Sequence, residues 1–176
     1  MARFKLFFGN KSAAGPALFL RPIADISDGT WTTDTGGTSL FAVLDEVTQS
    51  DTDYVRSSEN PVDDVMEVNI GSPSGSILSG TLRFTVGKEL NNAVVVDVRV
   101  ELRQGGSTIA TWNYLDVAFG FALKSETLTS GQRALVAPGV DLYVRITANP
   151  SAGTELRDRF DAAILLRDGS QVYLRV

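Results

Sequence analysis

The sequence predicts an all-β protein, an antiparallel β-sandwich or jelly roll with one or two short helices in its connections. Three observations support this fold class: strand-period alternation recurs along the chain, Gly-rich turns separate the alternating runs, and helical periodicity is rare. A chain of 176 residues, of which 43% are hydrophobic, is long enough to bury such a core without disulfides.

The clearest strand lies at residues 94–103, where apolar residues alternate with charged ones. Residues 104–107 supply a glycine-rich turn, and residues 108–114 alternate again, which predicts a β-hairpin. The second strand of this hairpin places Trp112 and Tyr114 on one face.

Alternation predicts further strands along the rest of the chain. They lie at residues 66–70, 78–86 and 140–148, with a strand pair at 3–8 and 17–20 and a C-terminal hairpin of 160–166 and 172–176 around a turn at 168–170.

Helical signals are confined to two connections. Ser39 is in place to cap a helix over residues 40–47, and Thr129 or Ser130 to cap a single turn that runs to Leu135. The resulting domain prediction is an N-terminal arm or strand pair at 1–26, a β-sandwich at 27–148, and a C-terminal hairpin at 149–176 that packs on the sandwich or on a neighbour.

The residue inventory restricts the chemistry. The chain has no cysteine and no histidine, which excludes thiol nucleophiles, Cys or His metal sites and His general bases. We therefore predict a protein that is not an enzyme and needs no cofactor. A net charge of −5 argues against broad nucleic-acid binding. No apolar run has the length of a membrane span or a signal peptide, so we expect synthesis in a cytoplasm without export by a cleaved signal.

A run of carboxylates between residues 45 and 67 is the first candidate site. A solvated acidic edge is the ordinary interpretation of such a run. Calcium binding is the alternative, and its candidate ligands are Asp51, Asp53, Asp63 and Asp64. Glycoside hydrolysis by Asp51, Asp53 or Asp63 is a third hypothesis, although no spacing motif supports it.

Aromatic residues form the second candidate group. Trp31, Tyr54, Trp112 and Tyr114 could stack on sugar rings or pack in the core, and strand phase favours packing for Trp112. The N-terminal arm is apolar on both faces of its short strands, which requires cover from the domain or from a partner. The predicted interface residues are Phe4, Leu6, Phe7, Phe8, Leu18, Phe19, Leu20 and Trp31.

One stretch carries a family resemblance. The segments SDGTWT (27–32), LDE (44–46), DTDYV (51–55), TLRF (81–84), VELRQGGSTIATWNY (100–114), LTSGQRALV (128–136) and DLYVRITA (141–148) follow one another in order. This order resembles a small β-sandwich module of tailed-bacteriophage structural proteins, and the match spans residues 27–148.

The resemblance implies a virion-associated β-sandwich of the jelly-roll or galactose-binding-like type, and it carries no catalytic residues. The predicted function is an accessory capsid decoration or cement protein. It would contact the major capsid protein and form a homo-oligomer on the particle, without nucleic acid or membrane. The alternative is a carbohydrate-binding or tail- or neck-associated virion module.

Overall fold

The computed structural model describes residues 17–44, 54–58, 61–88, 95–150 and 164–175. The all-β prediction is confirmed in these residues. The strands are β1 (Ala17–Leu20), β2 (Ala24–Ser27), β3 (Thr32–Thr33), β4 (Tyr54–Arg56), β5 (Asp64–Gly71), β6 (Ser79–Lys88), β7 (Val96–Gln104), β8 (Ser107–Tyr114), β9 (Ala122–Thr127), β10 (Leu142–Pro150) and β11 (Ile164–Arg175). The helices are α1 (Phe41–Leu44), between β3 and β4, and α2 (Ser130–Ala134), between β9 and β10.

Two antiparallel sheets form the sandwich. Sheet A has the order β3-β4-β11-β6-β9, with β1 also paired to β11, and sheet B has the order β2-β5-β10-β7-β8. Alternate residues of the central strands fill the space between the sheets, because successive side chains of a strand point to opposite faces. The core includes Val55, Met66, Val86, Val96, Val100, Leu102 and Leu142, each at most 1% exposed.

The predicted hairpin is confirmed in β7 and β8. Val100 pairs with Trp112 and Val98 with Tyr114, and both aromatic side chains are partly buried against the core. The hydroxyl of Tyr114 donates to Oε1 of Glu126 on β9 at 2.7 Å. This bond joins an edge strand of sheet B to an edge strand of sheet A.

The C-terminal segment differs from the predicted hairpin. Residues 164–175 form the single strand β11, whose two halves pair with the same strand β6. The register shifts between Arg167 and Gln171, so the Asp-Gly-Ser sequence makes an irregularity within the strand instead of a reversal. β11 therefore lies inside sheet A, with β6 on one side and β4 and β1 on the other.

The other end of the chain joins the same sheet. β1 pairs antiparallel with β11, and the register runs from Ala17 opposite Arg175 to Leu20 opposite Val172. The partner predicted for it, residues 3–8, lies outside the described residues.

Both helices begin at side-chain caps. Thr129, one of the two caps predicted for α2, is the N-cap and forms a capping box with Gln132. α1 is capped differently from the prediction: the carboxylate of Asp25, on β2, accepts the backbone N–H groups of Leu40 and Phe41 at 3.0 and 2.7 Å. The rest of the predicted helix, residues 45–47, lies outside the described residues. In the described part of the chain no helix is long and apolar enough to cross a membrane.

Candidate functional site

The predicted interface residues that the structure describes differ in exposure. Trp31 and Leu20 are 1% and 7% exposed and lie in the core. The Trp31 indole donates to the Asp64 carbonyl at 3.3 Å, which fixes the segment before β3 to the sandwich. Phe19 is 47% exposed. Phe4, Leu6, Phe7, Phe8 and the side chain of Leu18 lie outside the described residues.

Asp64 from the carboxylate run is a structural residue. It accepts the backbone N–H of Thr30 at 3.0 Å and the hydroxyl and N–H of Ser58 at 3.0 and 3.1 Å, so that it ties two loops to β5. Burial raises the pKa of this carboxyl, but the hydrogen bonds from Thr30 and Ser58 outweigh it and hold the pKa below the usual value. Donors thus occupy the oxygens that a calcium ion would need.

Of the remaining calcium candidates, the structure describes Asp63 alone. Asp63 is exposed and has a positive φ of 48°, and its backbone N–H donates to Oδ1 of Asn149. Asp51 and Asp53 lie outside the described residues. Among the residues that the structure places, no three Asp or Glu side chains cluster as metal ligands.

The outward surface of sheet A, here called the sheet A face, is the candidate site. The strand registers place on it the residues that alternate with the core positions. The described side chains on it are Phe19, Thr32, Tyr54, Arg56, Ser79, Thr81, Arg83, Thr85, Leu123, Ser125 and Thr127. The accessible hydroxyl groups of the β6 and β9 part belong to Ser79, Thr81, Ser125 and Thr127, whereas Thr85 is only 3% exposed. The hydroxyl oxygens of Thr81 and Thr127 lie 3.5 Å apart.

An aromatic pair stands at one end of the sheet A face. The rings of Tyr54, on β4, and Phe121, just before β9, lie 6.2 Å apart at an interplanar angle of 54°. Tyr54 is half-buried, and it is one of the four aromatic residues for which the sequence left sugar stacking and packing as alternatives. Trp31, Trp112 and Tyr114 pack in or against the core.

The loop that carries Phe121 crosses over the end of β6. The Lys88 N–H donates to the Ala118 carbonyl at 3.0 Å, and the Gly120 N–H donates to the Lys88 carbonyl at 3.1 Å. The Gly120 carbonyl oxygen lies so close to Gly87 that an added Cβ would be 1.7 Å from it. A glycine is therefore required at this point of β6. The loop of residues 116–121, here called the wall, bounds one end of the sheet A face.

Ionic and backbone contacts fix the start of this wall. Nζ of Lys88 lies 2.8 Å from Oδ1 of Asp116, and the lysine side chain is only 8% exposed. The Asp116 N–H donates to the carboxylate of Asp97 at 2.9 Å, and the Val117 N–H donates to the Val96 carbonyl at 2.9 Å. The position of Phe121 is thus set by the body of the sandwich, which is the preorganisation that a recognition site needs.

A second concave surface lies on the outer side of sheet B. It is an open cleft of about 390 Å³ whose polar lining includes Asp97, Arg99, Asn113 and Asn149. Two of these side chains are already engaged: Asp97 accepts the Asp116 N–H, and Asn149 accepts the Asp63 N–H. The sheet A face combines paired rings with hydroxyl groups, and we take it as the stronger candidate.

The comparisons with known proteins concern the fold. No family model matches the chain, and no curated protein sequence is similar to it. A structure described as "CBM4 structure and function" is 15% identical over 82% of this chain and 94% of its own, with a TM-score of 0.47. The xylan-binding module CBM15 is 14% identical over 88% of this chain and 97% of its own, with a TM-score of 0.48. The VP2 subviral particle of infectious bursal disease virus is 11% identical over 98% of this chain and 40% of its own, with a TM-score of 0.40.

The predicted role as a capsid decoration protein is wrong on this comparison. Several of the solved structures of similar fold are carbohydrate-binding modules. With TM-scores below 0.5 these likenesses assign no ligand to this chain. A ligand has to be argued from the sheet A face itself.

Proposed function

We propose that this protein is a non-catalytic carbohydrate-binding module that holds its ligand on the sheet A face. The observation that carries the proposal is the ring pair of Tyr54 and Phe121, fixed at the end of a face lined with hydroxyl groups. The virion as the setting of the module stays a prediction of the sequence resemblance.

The chemistry of a sugar matches this arrangement. A sugar ring has C–H groups on its faces and hydroxyl groups around its edge, so it needs an apolar plane and polar partners side by side. Tyr54 supplies a ring with a polar tip, and the hydroxyls of Thr81, Ser125 and Thr127 can each donate and accept a hydrogen bond. A few placed polar groups beside aromatic surface are typical of small-ligand sites.

Among the residues that the structure describes, the sheet A face presents no pair of carboxyl groups of the kind that a glycoside hydrolase uses. Such enzymes use two carboxyl groups on either side of the scissile bond. The register positions of the sheet A face hold no Asp or Glu; Asp168 lies in the irregularity of β11, where it has no partner in the β6 register. Glu126, on β9, accepts the Tyr114 hydroxyl between the sheets. These placements support binding without turnover.

The test measures binding of the full chain to a panel of soluble polysaccharides by titration calorimetry and affinity electrophoresis. Tyr54→Ala should weaken binding by about tenfold or more, which corresponds to roughly 1.4 kcal/mol or more for loss of an aromatic anchor. Tyr143→Ala is the matched control, because Tyr143 is a half-buried tyrosine on β10 in sheet B. Equal losses in both variants, or no binding to any polysaccharide, would contradict the proposal.

A further inference from the structure

The cleft on the outer side of sheet B is built from three neighbouring strands. The register places Arg99 of β7 between Thr147 of β10 and Asn113 of β8. In the next row, Asp97 of β7 lies opposite Asn149 of β10. Residues two apart on a strand point to the same side, so these polar side chains share one surface. The cleft volume of about 390 Å³ is that of a small-ligand site.

The polar groups of the cleft keep hydrogen-bonding capacity beyond their contacts within the protein. One carboxylate oxygen of Asp97 accepts the Asp116 N–H, which leaves the second oxygen as an acceptor. The amide oxygen of Asn149 accepts the Asp63 N–H, which leaves its NH₂ group with two donors. The exposed side chain of Asn113 makes no hydrogen bond to any of the described residues.

The guanidinium group of Arg99 is loosely held. Its Nε lies 3.8 Å from a carboxylate oxygen of Glu101, which is beyond hydrogen-bonding distance, and the side chain is 48% exposed. Elsewhere on the same sheet, Arg103 and Arg145 contact Glu67 at 3.0 and 2.7 Å. Arg99 therefore keeps its fork of N–H donors for a group from outside the protein.

A buried hydroxyl group beside Arg99 lacks a partner. Thr147 is 0% exposed, and its Oγ1 makes no hydrogen bond within the described residues. Its neighbours along the strand, Ile146 and Ala148, are core residues, so Thr147 is directed to the outer side, where Arg99 is its register neighbour. Buried polar groups normally have a hydrogen-bond partner. A ligand hydroxyl held by Arg99, or a water bound with it, would supply this one.

From these groups we propose that the cleft is a second sugar site, which takes one neutral sugar residue with neighbouring hydroxyl groups. Carboxylate, amide and guanidinium groups can each bond two adjacent hydroxyls. The lining holds two carboxylates, Asp63 and Asp97, and one guanidinium, which disfavours acidic sugars. Leu115, which is 78% exposed and also lines the cleft, offers an apolar surface to the C–H groups of the ring.

The inference rests on the proposed carbohydrate binding and adds a second site to it. The Tyr114 ring packs edge-on against Phe84 between the sheets, so the cleft has no aromatic platform from it and should bind more weakly than the sheet A face. The two sites look away from each other across two sheets that lie about 10 Å apart. One module would thus hold two polysaccharide chains and link them.

The experiment follows the side-chain amide signals of Asn113 and Asn149 by nitrogen–proton NMR during titration of the full chain. The probes are the methyl glycosides of glucose, galactose, mannose and xylose, with methyl glucuronide as the acidic comparison. A neutral glycoside should shift both signals. Arg99→Gln should weaken this binding about tenfold and Asn113→Ala about fivefold. Thr111→Ala is the matched control, because Thr111 is exposed on the same strand outside the cleft, and it should change nothing. Tyr54→Ala should leave the cleft signals responsive.

Light scattering tests the linking of chains. The wild type should cross-link a polysaccharide that it binds, and Asn113→Ala should bind it through the sheet A face without cross-linking. Polysaccharide binding without any shift of the two amide signals overturns the second site and leaves the proposed function standing. A stronger response to the glucuronide overturns the neutral ligand. If no glycoside and no polysaccharide binds, both proposals fail.

Discussion

Replacement of Gly87 by alanine should displace the loop that carries Phe121 and destabilise the fold. An ideal Cβ at this position would lie 1.7 Å from the Gly120 carbonyl oxygen and 2.5 Å from its carbon, whereas real Cβ atoms stay beyond about 3.0 Å. The obstacle is backbone, which cannot turn aside as a flexible side chain can. The loop must therefore retreat by roughly 1.3 Å or more.

That displacement breaks identifiable bonds. The two backbone hydrogen bonds between Lys88 and the loop, now 3.0 and 3.1 Å long, would stretch beyond hydrogen-bonding distance. Their loss costs about 0.5–1.5 kcal/mol each, and overpacking costs typically 1–3 kcal/mol. We expect the free energy of unfolding to fall by about 2–6 kcal/mol, and polysaccharide binding to weaken because Phe121 moves away from Tyr54.

Urea denaturation followed by tryptophan fluorescence measures this effect as a lower midpoint at an unchanged slope. Gly106→Ala is the matched control, since Gly106 lies in the β7–β8 turn without a positive φ and nothing lies within 4 Å of its added Cβ. If both variants unfold at the wild-type midpoint, the close approach of the loop to β6 does not exist in solution, and the wall argued from it is refuted.

Two further predictions concern ionisable groups in the framework. Asp64→Asn should destabilise the protein by about 2 kcal/mol at neutral pH. Because the folded pKa of Asp64 is lowered, the wild-type advantage is present above the unfolded value of 3.8 and is lost as pH falls through the folded pKa; an advantage that persisted in strong acid would argue against the hydrogen-bonded carboxylate. Tyr114→Phe should cost about 1 kcal/mol through the lost bond between the sheet edges. Burial and the neighbouring Glu126 raise the Tyr114 pKa above its usual 10.0, so the folded wild type and Tyr114→Phe should show the same ultraviolet absorbance change on titration through pH 10. The stability from this group should be lost as pH rises beyond the unfolded value.

The sequence could predict the strands whose side chains obey a simple two-residue period. β7 and β8 are the best example, because buried valines alternate with charged residues and a glycine turn separates the strands. β9 could not be found this way. Its inward positions include Lys124 and Glu126, which sit at the edge of the sandwich near Tyr114 instead of in the core, so the strand has no hydrophobic alternation.

Other differences come from contacts between distant parts of the chain. The Asp-Gly-Ser sequence at 168–170 has the composition of a hairpin turn, but β6 offers an unbroken edge on both sides of it, and pairing with that edge keeps β11 as one strand. The cap of α1 comes from Asp25, 15 residues before Leu40, where local capping rules favoured Ser39. Tyr54 was predicted as a candidate sugar-stacking residue, but its partner Phe121 could not be, because only the crossing of the loop over β6 brings them together.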